Sequence, residues 1–207
     1  MLQIKTPSKS IRIYAQLPRT RTLGPFLRFA LWVQGCNGKC PGCMTPDAKP
    51  HDQGQLIDLA SLARDICLDF RIEGLTISGG EPFLQAGALS LLIDQVRMVR
   101  DMGVIIYTGL TIEELYQDNH GDVLNLLERT DLLIDGPYLR ELDDGLSLRG
   151  SSNQTVRFLT NRYVDIAKKY YAQSQRNVEL HILKNEVFLA GIPGSEMLKR
   201  WKNRQLI

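Results

Sequence analysis

The 207-residue sequence lacks most of the features that would set a protein apart from the ordinary soluble classes. No apolar stretch approaches the roughly 20 residues needed to cross a bilayer, so no membrane is expected among its partners. No basic, apolar, small-residue leader opens the chain, and the expected compartment is the cytosol. Neither sign of charge dominates. The 25 Lys and Arg stand against 23 Asp and Glu, a net charge of +2, which gives no electrostatic footprint for nucleic acid. No internal repeat or low-complexity segment is visible, which excludes a solenoid or an array. Cysteine is scarce: there are four, of which three fall between positions 36 and 43. Such crowding suits a metal or cluster loop in a reducing compartment better than a pair of disulfides.

The chain is organised around that crowded stretch, Gln34-Gly35-Cys36-Asn37-Gly38-Lys39-Cys40-Pro41-Gly42-Cys43. Three thiolates in a C-x3-C-x2-C loop are an odd set of ligands. A structural zinc site takes four and is closed, whereas a site built for chemistry keeps a position open. A [4Fe–4S] cluster is normally held by four thiolates. If Cys36, Cys40 and Cys43 hold three of its irons, the fourth iron is left for a small molecule. The bland alternative is a zinc-binding interaction module with His51 as fourth ligand. Pro46 and Pro50 lie between the cysteines and that histidine, and the second motif, described below, has no place in a zinc site.

Ile11 to Ala15 alternates as a short strand, and Arg12, Arg19, Arg21 and Arg28 read as a solvated basic strip. Phe26 to Val33 is a near-continuous apolar run that ends at Gln34-Gly35, the pattern of a buried parallel strand. Residues 44–57 read as loop. Asp58 caps a helix reaching to Arg71, with Leu59, Leu62, Ala63, Ile66 and Phe70 on its inward face. Cys67 beside that stripe reads as a structural thiol. Gly74 to Ser78 is the next strand. A helix follows from about Phe83 to Met102, with Leu89, Leu92, Ile93, Val96 and Val99 inward and Gly103 as its stop. Val104 to Tyr107 and Asp131 to Ile134 are two further strands. Between them lie a helix opened by a Thr111/Glu114 capping box and another over Asp122 to Arg129.

Strand, loop and helix thus alternate four times, which predicts an α/β fold with a parallel sheet and crossover helices. Ligands in such folds bind at the C-terminal strand ends. The loops at those ends are the cysteine loop, Gly79-Gly80-Glu81-Pro82, Thr108-Gly109 and Asp135-Gly136-Pro137-Tyr138. After Pro137 the texture changes: a polar loop at Arg149 to Gln154, a strand at Val156 to Leu159 and a polar helix over 163–176. A hairpin from Val178 to Ala190 turns at Lys184-Asn185, and a basic surface helix runs from Ser195 to Leu206. This divides the chain into a core over 1–160 and a C-terminal extension over 161–207.

Two glycines after a strand are a weak signal alone, although they let backbone come close to a ligand, and Pro82 suits the first position of a helix. Joined to the cysteine loop, Gly79-Gly80-Glu81-Pro82 resembles the radical S-adenosylmethionine (radical SAM) enzymes. Cys40-Pro41-Gly42-Cys43, Thr76 to Phe83, Tyr107-Thr108-Gly109, Leu133 to Tyr138 and Arg149 to Gln154 are similar to one branch of them, the activating proteins of anaerobic ribonucleotide reductase. The resemblance implies a partial (β/α)6 barrel. It implies that Cys36, Cys40 and Cys43 bind a [4Fe–4S] cluster, and that the methionine end of S-adenosylmethionine (SAM) completes the open iron. Gly79, Gly80, Glu81 and Pro82 would hold the methionine amine, with Thr108 and Asp135 lining the SAM pocket. Its partners would be a glycyl radical enzyme, an anaerobic ribonucleotide reductase, and a one-electron donor such as flavodoxin or ferredoxin. Related enzymes that modify a peptide or a small metabolite are the other reading. Met44 to Ala48, where that branch shows aromatics, and about fifty residues past Gln154 depart from its pattern.

Overall fold

A computed structural model describes residues 9–118, 120–166, 176–183 and 186–202. Its centre is a seven-stranded sheet of β1 (Ser10–Thr20), β2 (Arg28–Val33), β3 (Gln55–Asp58), β4 (Gly74–Gly79), β5 (Gly103–Tyr107), β6 (Leu132–Asp135) and β7 (Thr155–Phe158). Their spatial order is β3-β1-β2-β4-β5-β6-β7. β2, β4, β5 and β6 run parallel, as the alternation of elements predicts. The flanking strands are antiparallel: β1 on β2, β3 on β1 and β7 on β6. Gln55–Asp58, read as loop, is the outermost strand and pairs with Ser10 to Ile13. It is short and largely exposed, as an edge that does not invite further pairing should be.

Side chains alternate between the two faces of a strand, and here the faces meet different partners. Phe29, Leu31, Val33, Leu75, Ile77, Val104, Ile106 and Leu133 share the main core with residues of α1 (Leu59–Cys67), α2 (Ala86–Val99) and α4 (Gly121–Glu128). The opposite face is covered in two patches. Ala30 and Trp32 pack on Ala190 and Ile192 of a C-terminal hairpin, β8 (Val178–Leu183) and β9 (Glu186–Gly191). Ile105, Leu132 and Ile134 pack on Leu148 and Tyr163. The gap between the two patches opens onto the C-terminal ends of the parallel strands.

Local chemistry starts the helices. The Asp58 carboxylate accepts from the Ser61 N–H at 2.9 Å and caps α1. Before α3 (Ile112–Asp118), Thr111 N–H donates to Glu114 Oε2 at 2.7 Å and Glu114 N–H to Thr111 Oγ1 at 3.2 Å, a complete capping box. α5 (Ser195–Lys202) follows the hairpin. The expected polar helix over 163–176 lies mainly outside the described residues, as do Lys184-Asn185 and Arg204. No helix among the described residues is long and apolar enough to cross a membrane.

Three expectations about the helices are corrected. Phe70 is 86% exposed, because α1 stops at Cys67. Asp69 there accepts from the backbone N–H and the guanidinium of Arg71, local bonds that compete with helix. Val99 is exposed too, as the last residue of α2; the chain turns extended at Arg100, whose guanidinium donates to the Asp69 carbonyl at 3.0 Å. Gly103 does not stop a helix. It opens β5, where a Cβ would collide with Tyr163 Oη and lie 2.6 Å from Arg162 Nε.

Arg28 is not on a solvated strip but wholly buried at the start of β2. Its guanidinium donates to Thr76 Oγ1 (2.6 Å), Glu73 Oε2 (2.7 Å), Tyr163 Oη (2.9 Å) and the Leu75 and Gly103 carbonyls (each 2.9 Å). These groups lie at the N-terminal end of the sheet, away from the cysteine loop. Arg28→Ala would take this donor from the buried carbonyls and the Thr76 hydroxyl. We expect a stability loss of about 3 kcal/mol, the lower end for breaking a buried ion pair, because Glu73 keeps Arg162 as a partner. A denaturant midpoint unchanged from wild type would contradict this.

Candidate functional site

All four parallel strands end on one cavity of about 560 Å³. Cys36, Cys40 and Cys43 line it after β2, Ser78 to Glu81 after β4, Tyr107 to Leu110 after β5, and Gly136 to Leu139 after β6. Residues scattered over a hundred positions of sequence therefore meet on one rim.

The cysteine loop and the glycine pair are joined through the backbone. Gly80 N–H donates to the Val33 carbonyl and Glu81 N–H to the Gly35 carbonyl, each at 2.8 Å. Gly35 and Cys36 N–H groups in turn donate to the Ala48 and Lys49 carbonyls, which fixes both ends of the loop. Thr45 Oγ1 donates to the Gly79 carbonyl at 2.9 Å. Contact this close requires glycine. Gly79 has φ +106° and its missing Cβ would lie 2.6 Å from Val33 N; a Cβ on Gly80 would collide with the Gly35 carbonyl.

None of the four cysteines is in a disulfide, and all are partly exposed. The Gly38 N–H points at Cys36 Sγ, 3.2 Å away. Burial pushes the Cys36 thiol up, while that N–H pulls it down; Glu81 and Cys43 add to the rise and Lys49 opposes it. A bound metal would reverse the balance, because it binds the thiolate. Among the described residues no three His, Cys, Asp or Glu side chains are gathered as one metal ion requires. The His51 ring instead lies 3.0 Å from Asn37 Oδ1. That arrangement does not support a zinc site. A cubane asks for something else, since each of its three thiolates sits on a different iron.

Glu81 is 7% exposed and lies at the heart of the cavity wall. Its Oε1 accepts from Phe83 N–H (3.1 Å) and Thr108 Oγ1 (2.7 Å), its Oε2 from Gly109 N–H (2.9 Å). It thereby caps the short 3-10 turn Pro82–Gln85 and ties the end of β4 to the end of β5. Among the described residues no arginine, lysine or histidine forms an ion pair with it. Burial raises its carboxyl above the usual range, against the pull of the three donors. An acidic group buried without a cation is fitted to receive one, and Oε2 keeps a lone pair for it.

The other candidates are placed as follows. Thr108 lines the cavity and aims its hydroxyl at Glu81. Pro82 opens the 3-10 turn behind the wall. Asp135 is 2% exposed and sits below the rim: Oδ2 accepts from Ile112 N–H at 3.0 Å, and Oδ1 from Arg157 Nε at 2.8 Å. It braces the turn that presents Gly136 to Leu139. The Arg149 to Gln154 loop fastens the same turn. Gln154 Nε2 donates to the Gly136 carbonyl and Asn153 Nδ2 to the Pro137 carbonyl, each at 2.8 Å, and Leu139 N–H donates to Ser151 Oγ at 3.1 Å. Sequence reasoning placed Tyr138 on a rim loop but missed Trp32, Met44, Gly191 and Ile192, all in the cavity wall. Trp32 alternates with Leu31 and Val33 onto the opposite face of β2; nothing in the sequence announces that a hairpin far along the chain reaches the site.

Residues 22–157 match the family model described as 4Fe-4S single cluster domain. The chain is 33% identical over 146 residues to the anaerobic ribonucleoside-triphosphate reductase-activating protein of Vibrio cholerae, covering 66% of this chain and 91% of the relative. The protein of that name from Enterobacteria phage T4 is 31% identical over 139 residues, 64% of this chain and 85% of the relative. The pyruvate formate-lyase-activating enzyme of Streptococcus mutans is 30% identical over 157 residues, 70% of this chain but 57% of the relative.

Proposed function

The chain belongs to the 4Fe-4S single cluster domain family, among the anaerobic ribonucleoside-triphosphate reductase-activating proteins, and we propose from that premise which of its residues do the work. It is a radical SAM enzyme of the type that generates a glycyl radical on a partner enzyme, with a [4Fe–4S] cluster and SAM as cofactors. When bound, the reduced cluster would supply one electron to the sulfonium of SAM, whose carbon–sulfur bond would break to give methionine and a 5′-deoxyadenosyl radical able to take a hydrogen atom from a glycine Cα. Cys36, Cys40 and Cys43 are assigned to the cluster. Gly79, Gly80 and Glu81 are assigned to the methionine end of SAM, with Glu81 facing its ammonium. Thr108, Pro82 and Asp135 are positioning residues, holding Glu81 and the strand ends in place. The carrying observation is that Gly80 and Glu81 hydrogen-bond to the backbone on which the cysteine loop begins, so both motifs form one wall.

The four parallel strands are read as the preserved centre of a partial (β/α)6 barrel, with the core ending near residue 160 and the remainder an extension. The partner is assigned as an anaerobic ribonucleotide reductase and the electron source as flavodoxin or ferredoxin, in the cytoplasm, with no nucleic acid or membrane involved. The test is anoxic reconstitution with iron and sulfide, then reduction in the presence of SAM and that reductase. The expected result is 5′-deoxyadenosine together with a glycyl radical signal in electron paramagnetic resonance. Cleavage with no radical on the reductase would move the assignment to a peptide or small-metabolite substrate.

A further inference from the structure

The hairpin β8–β9 lies outside the residues matched by the family, 22–157, yet its end forms part of the cavity. Gly191 and Ile192 line the same space as the three cysteines, and Ile192 is 7% exposed. Ile192 packs with Leu17, Leu23, Ala30, Trp32 and Ala190 in a single apolar cluster.

This wall is held from several directions. Phe188 meets Trp32 edge-on, ring centroids 5.0 Å apart and planes at 64°. Glu179 on the other hairpin strand accepts from Thr20 Oγ1 at 2.8 Å and from Arg21 N–H at 3.1 Å, clamping the hairpin to the end of β1. Gly191 has φ +113°, and a Cβ there would lie 2.5 Å from the Asn177 carbonyl oxygen and 3.2 Å from Thr22 Cβ. Only glycine lets the chain turn here and deliver Ile192 to the cavity.

The cavity is lined by both polar and apolar groups. Cys36, Glu81 and Thr108 are among its polar lining; Leu23, Trp32 and Ile192, with Met44 packed on them, are one apolar cluster that also lines it. Its volume of about 560 Å³ is within the range of pockets that enclose one drug-sized ligand, about 300–1,000 Å³. The lining that the cofactor motifs do not supply, Ile192 and the backbones of Gly136 and Gly150 among it, is left for a substrate.

We propose that Ile192, backed by Trp32, is a specificity-determining wall of the substrate channel: it admits a glycine and turns away residues that carry a Cβ. This rests on the glycyl-radical reading above, and the experiment separates the two. The probes are the capped tripeptides alanyl-glycyl-alanine and alanyl-alanyl-alanine, deuterated at the central Cα. Their binding to the SAM-loaded holoenzyme is measured by calorimetry without reductant. Deuterium transfer into 5′-deoxyadenosine is measured with reductant. One methyl group in an apolar pocket discriminates by about 10–200-fold, so wild type should prefer the glycyl peptide at least about tenfold in both readouts. Ile192→Ala should erase most of that preference in both readouts, and Ile192→Val should erase less. If the alanine variant fails to fold, the valine variant decides in the same way. A preference unaltered by these substitutions, or a wild type that binds neither peptide or both equally, overturns the wall. A wild type that forms no 5′-deoxyadenosine from SAM refutes the functional assignment instead.

Discussion

Replacing Cys36, Cys40 or Cys43 by alanine, one at a time, is expected to abolish SAM cleavage, whereas Cys67→Ala is expected to leave it intact. The loop offers three thiols and no spare ligand. His51, the nearest histidine in sequence, is engaged with Asn37. Even outer-shell partners of metal ligands are worth about 10–100-fold in affinity or activity, so loss of a direct ligand should exceed about 100-fold. Iron and sulfide content should fall in step with 5′-deoxyadenosine production. Cys67 lies at the far end of α1, partly buried and pointing at the Val96 carbonyl 3.9 Å away, among helix residues rather than at the rim. Burial pushes its thiol up, which keeps it protonated and unreactive at neutral pH. Full cleavage in Cys40→Ala would refute the cluster assignment, and loss of cleavage in Cys67→Ala would show that thiol to be more than packing.

The features legible in the sequence were those set by neighbours in the chain. Asp58 and Thr111 cap helices because their partners are three residues away. The parallel strands announce themselves as apolar runs because both faces are buried. The features that were not legible depend on contacts between distant segments. Arg28 reads as a surface charge until Glu73, Thr76 and Tyr163 surround it. β3 pairs with residues some 45 positions earlier, and an exposed four-residue edge has no apolar pattern to show. The same division runs through the site. Cysteine spacing and the glycine pair are local and were found. Trp32 and Ile192 become wall only when a hairpin 150 residues downstream folds back onto β2, and the sequence places no constraint on that return that can be read residue by residue.

Glu81→Gln is expected to weaken SAM binding by about 10–100-fold, since a hydrogen bond to a charged group is worth about 1.5–3 kcal/mol. The amide can keep an oxygen toward Phe83 N–H and Thr108 Oγ1, but it then turns its own N–H₂ toward Gly109 N–H, donor against donor. It also removes the one carboxylate in the wall among the described residues. The pH dependence gives a second readout. Burial raises the Glu81 carboxyl above its ordinary value of 4.5, so the empty site favours the protonated form over a window that starts there. A raised acid pKa in the folded state means that folding stability declines as pH climbs through that window. A bound ammonium favours the carboxylate, so SAM binding should release a proton within the window and tighten as pH rises through it. Calorimetry of SAM binding in buffers of different ionisation enthalpy measures that release directly. In Glu81→Gln the release and the slope should both vanish. A glutamine variant that binds SAM as tightly as wild type, with the same pH slope, would reduce Glu81 to a brace between the β4 and β5 loops and return the ammonium to some other acceptor on the rim.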